Sequence, residues 1–194
     1  MYDFYGIYAS CRDAAWRCLI DFDVSHLPVK LISATNRVGI RVVCNSDVHE
    51  LRRGESGASI CLPSGEWRIV YDDRLPAAEA RMVIAHEFGH ILLGHEYKYR
   101  DYRFTKGNGK LKSEREADMF AVRILAPACV LHELGVCEST QIAELCMIPK
   151  SVASARAKRM RVLEERDAFY KSKLEADVRD KFQEYINSLK NTQK

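Results

Sequence analysis

The segment Val83-Ile84-Ala85-His86-Glu87-Phe88-Gly89-His90-Ile91-Leu92-Leu93 constrains this chain more than any other stretch. Only Glu87 carries a full charge between Met82 and Gly94. A helix written this way is expected to be buried nearly all round, yet it holds two histidines and a glutamate. Buried ionisable groups need partners or a metal. His86 and His90 are four residues apart, so on a helix they lie about 40° from each other and project to one side, one turn apart. Two neutral imidazoles held so make half of a tetrahedral zinc site. Glu87 lies about 100° round the helix from His86. It can flank the metal without binding it and take a proton from a metal-activated water, as the general base of a zinc peptidase does.

A catalytic zinc site needs a third protein ligand and one open position. The downstream candidates are His95, His132, Glu114, Glu116 and Asp118. Helical geometry separates them. Glu114 shares a face with Ala117, Asp118, Ala121 and Leu125, the small and apolar side of its helix. Glu116 points toward the side of Arg123 and is expected to face outward. Glu114 is therefore the expected third ligand. Asp118, one turn on, is placed to accept the free N–H of a ligating histidine. His95, Tyr97 and Tyr99 follow the metal helix and are candidate donors to a transition state, with nothing to select among them.

The rest of the chain reads as an α+β protein of 194 residues, 47% apolar and 29% charged, with a net charge of +3. That charge alone calls for neither nucleic acid nor an anionic membrane. No apolar run is long enough for a transmembrane helix, and the first twenty residues lack the pattern of a secretory signal. Seven widely spaced cysteines with no C-x-x-C pair argue against a disulfide framework or a cysteine zinc site. A reducing cytoplasm is the expected setting.

Helix-compatible sequence over Arg12–Ile20 and a short helix at Val29–Ala34 precede three strands near 39–44, 58–62 and 67–71. Pro63-Ser64-Gly65 makes the last two a hairpin, and the expected sheet has about three antiparallel strands. Helices follow from Pro76. Ser113 with Glu116 reads as a capping box opening the Glu114 helix, which Pro127 stops. Short helices are expected at about 128–134 and 140–147. One long charged helix is expected from Ser151 toward Leu189, with Leu174, Val178, Phe182, Ile186 and Leu189 as its packed stripe. The expected division is a metal-binding domain over 1–135 and a helical region over 136–194.

Within that region, residues 140–160 are helix-turn-helix-like: residues 142–152 resemble the turn, and the basic residues Arg156, Lys158, Arg159 and Arg161 follow it. Such a unit can place a helix in a DNA groove. Met147 stands where the turn usually has glycine, and acidic residues balance the basic run. A packing or partner-docking unit is the favoured reading, with direct DNA binding as the alternative.

Three pieces, in order, resemble the ImmA/IrrE family of bacterial metallopeptidases. They are Ile84-Ala85-His86-Glu87-Phe88-Gly89-His90, then Glu114-Arg115-Glu116-Ala117-Asp118-Met119-Phe120-Ala121, then Leu125-Ala126-Pro127. The family pattern is an A-H-E-x-G-H helix, then an E-x-E-A-x-x-F-A helix ending in L-x-P. Trp67–Tyr71 leading to Arg81, and Leu27-Pro28-Val29 before Gly39-Ile40-Arg41-Val42, are also similar, so the likeness covers about residues 10–160. Ala126 departs from it, since the family often has Met before the proline. The resemblance implies a small zincin-like domain, with Zn2+ on His86, His90 and Glu114 and with Glu87 as base. It also implies a protein substrate of the helix-turn-helix repressor type, whose cleavage derepresses mobile-element or stress-response genes. The alternative is a non-proteolytic regulator that binds DNA or a repressor.

Overall fold

The computed structural model describes the backbone of residues 2–95 and 110–192, and side chains over 10–95 and 112–191. Tyr97 and Tyr99 lie outside the described residues.

The N-terminal helix α1 spans Tyr2–Asp21, and α2 spans Leu31–Arg37. Strand β1 (Arg41–Cys44) leads through the short helix α3 (Asn45–Val48) and a loop to β2 (Gly57–Cys61). β2 and β3 (Trp67–Tyr71) form the expected hairpin, antiparallel with Gly57 opposite Tyr71 and Cys61 opposite Trp67. Its turn closes through Gly65 N–H donating to Leu62 O at 2.8 Å, with Gly65 at a φ of 85°. The sheet is mixed, in the order β1-β3-β2, because β1 pairs with β3 in parallel. This corrects the fully antiparallel expectation. β3 carries Ile69 and Val70, both almost fully buried. A strand buried this deeply is best satisfied between two neighbours. The 45–56 connection is long enough to carry the chain from one edge of the sheet to the other.

Helix α4 (Ala77–Leu92) lies against β2 and β3 and packs most extensively on α5 (Lys110–Leu125). Gly89 sets their separation: a Cβ there would sit 2.9 Å from Phe120 Cδ1. Phe88 meets Phe120 edge-on, with ring centroids 5.9 Å apart. α5 begins at Lys110, so Ser113 lies inside the helix and is not the expected cap.

Helices α6 (Ala128–Glu133), α7 (Ser139–Cys146) and α8 (Lys150–Glu165) follow. The long terminal helix divides into three: α8, α9 (Lys173–Lys181) and α10 (Gln183–Thr192). Asp167 and Tyr170 adopt positive φ in the break after α8. A reciprocal cap then opens α9: Glu175 N–H donates to Ser172 Oγ, and Lys171 N–H donates to Glu175 Oε2, both at 3.2 Å. The expected stripe survives across the α9–α10 junction. Val178, Phe182 and Ile186 are fully buried, with Leu174 and Leu189 at its partly exposed ends.

One hydrophobic cluster runs from Trp16 and Leu19 through Phe88, Phe120 and Leu125 to Met160, Val178 and Ile186, on both sides of residue 135. All seven cysteines are free thiols. No helix among the described residues is long and apolar enough to cross a membrane.

Candidate metal centre

His86 and His90 stand one turn apart on α4, and Glu114 reaches them from the first half of α5. His90 Nε2 lies 2.9 Å from His86 Nε2 and 3.7 Å from Glu114 Oε1, and His86 Nε2 lies 3.4 Å from Glu114 Oε2. Ligand atoms at tetrahedral positions, about 2.0–2.1 Å from a zinc ion, stand roughly 3.4 Å from one another. The three donors thus converge at the spacing of one coordination sphere, and they form a group able to hold a metal ion. The chemistry agrees with the geometry. His86 Nδ1 sits 2.8 Å from Asp118 Oδ1, so the neutral ring carries its proton there and turns the Nε2 lone pair toward Glu114. Lone pairs aimed at one point repel unless a cation lies among them.

Each imidazole is held from behind. Asp118 holds His86 while remaining largely open to solvent itself. His90, fully buried, contacts His95 Nδ1 through its own Nδ1 at 2.8 Å, and His95 Nε2 contacts Glu116 Oε2 at 3.0 Å. One tautomer set satisfies the whole chain. His90 Nδ1–H donates to His95, His95 Nε2–H donates to Glu116, and His90 Nε2 is left as a lone pair facing Glu114. Two expectations are corrected here. Glu116 does not face outward; it is partly buried against His95. His95 does not offer an N–H to the open side of the site, because both of its ring nitrogens are engaged behind His90. The His95 backbone N–H also donates to His90 O at 3.1 Å, the helix-end bond that folds the histidine back.

Glu87 is buried and lies on the sheet side of α4. Ser59, on β2 and 1% exposed, donates from Oγ to Glu87 Oε2 at 2.6 Å. The same Oγ is 3.0 Å from Glu87 O. Burial pushes the Glu87 carboxyl above the usual range, while the Ser59 hydroxyl and the neighbouring His86 pull it back down. For His86, burial lowers the pKa but the Asp118 contact and the nearby carboxylates outweigh it, and the net direction is up. Gly57 lets β2 approach this closely, since a Cβ there would overlap Val83 Cγ1 and touch Glu87 Cγ at 3.4 Å. Ser59 belongs to no motif in the sequence. Its one signal is a polar residue on an inward register position of an otherwise apolar strand.

Arg81 fastens this core to the C-terminal helices. Its guanidinium donates to Met147 O at 3.1 Å and to Val29 O at 3.0 Å. α7 and α8 have a helix-turn-helix outline, with Met147 in the left-handed region at the turn. The basic run is divided, however. Arg156 is buried and donates to Ala126 O, while Lys158 and Arg161 are exposed. Ala153, Arg156, Ala157 and Met160 turn one face of α8 into the core.

A search of curated proteins finds no match to this chain. The family model described as the IrrE N-terminal-like domain, a peptidase domain, matches residues 36–179. That span begins later and ends later than the likeness carried by the motifs, and it takes in β1 to β3, both ligand-bearing helices, α6 to α8 and most of α9. Together with a histidine, histidine and glutamate group able to hold a metal, the match places this chain in the ImmA/IrrE family of metallopeptidases.

Proposed function

We propose that the protein is a zinc-dependent endopeptidase acting on a helix-turn-helix transcriptional repressor, so that cleavage derepresses mobile-element or stress-response genes. The observation that carries the peptidase reading is the convergence of His86, His90 and Glu114 beside a buried Glu87 that Ser59 holds. An N₂O set leaving an open position suits Zn2+. When bound, zinc supplies Lewis acidity to a carbonyl oxygen and to water. The chain's own residues do the rest. Asp118 and the His95–Glu116 pair fix the tautomers and directions of His86 and His90. Glu87 Oε, poised by burial above an ordinary carboxylate, takes a proton from water and returns it to the leaving amine. Ser59 holds that carboxylate at one oxygen and leaves the other for proton transfer. β2 is an edge strand whose sheet partner is β3, and it passes Glu87 through Ser59. An extended peptide pairing with such an edge would lie beside the base.

The test is to mix a helix-turn-helix repressor encoded beside this protein with zinc and the purified chain. Wild type should cut it. Glu87→Gln should keep the metal and lose roughly 10²–10⁴-fold in rate. An unchanged rate would remove Glu87 from the role of base. A chain that binds no zinc would remove the peptidase reading altogether.

The second reading, a non-proteolytic regulator that binds DNA or a repressor, draws on the outline of α7 and α8. The burial of Arg156 and of one face of α8 weighs against its DNA version, because phosphate contacts require exposed cations. Salt-sensitive binding of duplex DNA by a Glu87→Gln variant would support it.

A further inference from the structure

Three large apolar side chains are left exposed among the described residues: Ile32 at 55%, Val38 at 41% and Met147 at 43%. Two of them adjoin Arg81. Ile32 and Arg81 line the same groove on α2 and α4, of about 370 Å³, together with Leu31, Ile84, Lys30 and Ser33. That volume lies in the ~300–1,000 Å³ range of clefts that hold ligands. Arg81 ties the groove to the turn before α8, donating to Val29 O at 3.0 Å and to Met147 O at 3.1 Å. Its guanidinium is spent on these carbonyls and acts as a strut. Arg81 precedes His86 and His90 by five and nine residues, so the groove lies about 140–180° round α4 from the metal ligands.

Met147 breaks two local rules at once. It sits at φ 50° and ψ 56°, in the left-handed region where glycine is least strained. Its side chain then turns to solvent, and neither Met147 nor Ile32 joins the hydrophobic cluster of the core. Exposed apolar side chains gathered beside a groove mark a surface that another molecule covers. Charge selects the kind of molecule. Lys30 edges the groove, and Lys150 stands three residues beyond Met147. Both are exposed, and neither makes an ion pair among the described residues. No described carboxylate lines the groove, and Glu144, three residues before Met147, lines a different cavity. In a two-fold pairing of copies the patch would meet itself, setting each lysine against its own equivalent. A membrane surface would leave a concave groove unfilled. A protein segment with apolar anchors between carboxylates fills it and answers both lysines.

We propose that this surface docks an acidic amphipathic segment of a partner protein, with apolar side chains entering beside Ile32 and resting on Met147, and carboxylates facing Lys30 and Lys150. The surface is independent of the peptidase reading, and its test uses no cleavage assay. The full chain is used to select from a library of random short peptides displayed on phage, and an enriched peptide is synthesised for measurement of its Kd. The expected peptide carries at least two apolar residues and a net negative charge. Ile32→Glu should weaken its binding at least about tenfold. Met147→Gly should also weaken it while leaving Tm unchanged or higher, because glycine suits the left-handed turn, so that loss of binding is not loss of fold. The pair Lys30→Glu and Lys150→Glu should reject the acidic peptide and accept one whose carboxylates are replaced by lysine. Zinc affinity should stay the same in every variant. Enrichment of basic or uncharged peptides, the absence of any peptide whose binding depends on Ile32, or failure of the charge swap would overturn the proposal. So would a dimer in sedimentation that Ile32→Glu dissolves, which assigns the surface to a second copy. Binding to phosphatidylserine vesicles in place of peptide, abolished by Ile32→Glu, would overturn it in favour of a membrane.

Discussion

Ser59 Oγ donates to Glu87 Oε2 at 2.6 Å from a strand twenty-eight residues upstream, and the two groups are buried together. The contact joins the sheet to the metal helix at the group proposed as base. Ser59→Ala should leave a buried carboxylate short of a donor, a loss of about 1–3 kcal/mol at that group. We expect kcat to fall roughly tenfold or more with KM little changed. The pH profile should also move. Burial raises the Glu87 pKa and the Ser59 hydrogen bond lowers it, so removing the hydroxyl raises it further. The acid limb of kcat should shift to higher pH, with activity lost earlier as pH falls. An acid limb that stays in place would show that Glu87 does not set it.

The chain from His90 through His95 to Glu116 should tune metal affinity. His95→Ala or Glu116→Gln should weaken zinc binding by about 10–100-fold, the usual effect of removing a group that orients a ligand. Competition with a chelator of known affinity measures this directly. Asp118→Asn should do the same through His86. Equal affinities in all three variants would mean that the histidines need no support.

Metal should stabilise the fold. At a free zinc concentration 100-fold above Kd, binding to the native state alone adds about 2.7 kcal/mol. Tm should therefore rise with zinc and fall back with chelator. In His90→Ala the zinc-dependent rise should disappear, which calorimetry with and without metal can check.

Gly89→Ala reverses the ordinary sign for a glycine in a helix. Intrinsic propensity favours alanine by roughly 1 kcal/mol. Here the new methyl meets Phe120 at 2.9 Å, and overpacking of this kind costs about 1–3 kcal/mol. The variant should melt at a lower temperature and bind metal less tightly, because α5 carries Glu114. A raised Tm would mean that α4 and α5 do not approach so closely.

The division between what the residues foretold and what they concealed follows sequence distance. His86, Glu87 and His90 were legible because a period of 3.6 places them on the helix without reference to anything else. Glu114 was legible for a related reason: the small, apolar face of a second helix has room for few carboxylates. Asp118, one turn on, reaches His86 from the solvent-exposed edge of that face and is not turned inward. Helix periodicity alone turns Glu116 outward, and only His95, folding back over the end of α4, brings it into the site. The capping pattern was read at Ser113 with Glu116, where α5 is already under way. The pair that caps a helix is Ser172 with Glu175, in a stretch where the apolar stripe disguised a break.

By itself, the sequence determined the α+β class, the β2–β3 hairpin, the metal-binding helix and the faces of the two helices that meet at the site. These are local properties, set by backbone periodicity, turn residues and the alternation of apolar and polar side chains. Tertiary structure alone decided the parallel place of β1, the pairing of Ser59 with Glu87, and the support of His90 by His95 and Glu116. Each of these depends on which buried faces come together. That choice is made by the packing of the whole core, and no short window of residues carries it.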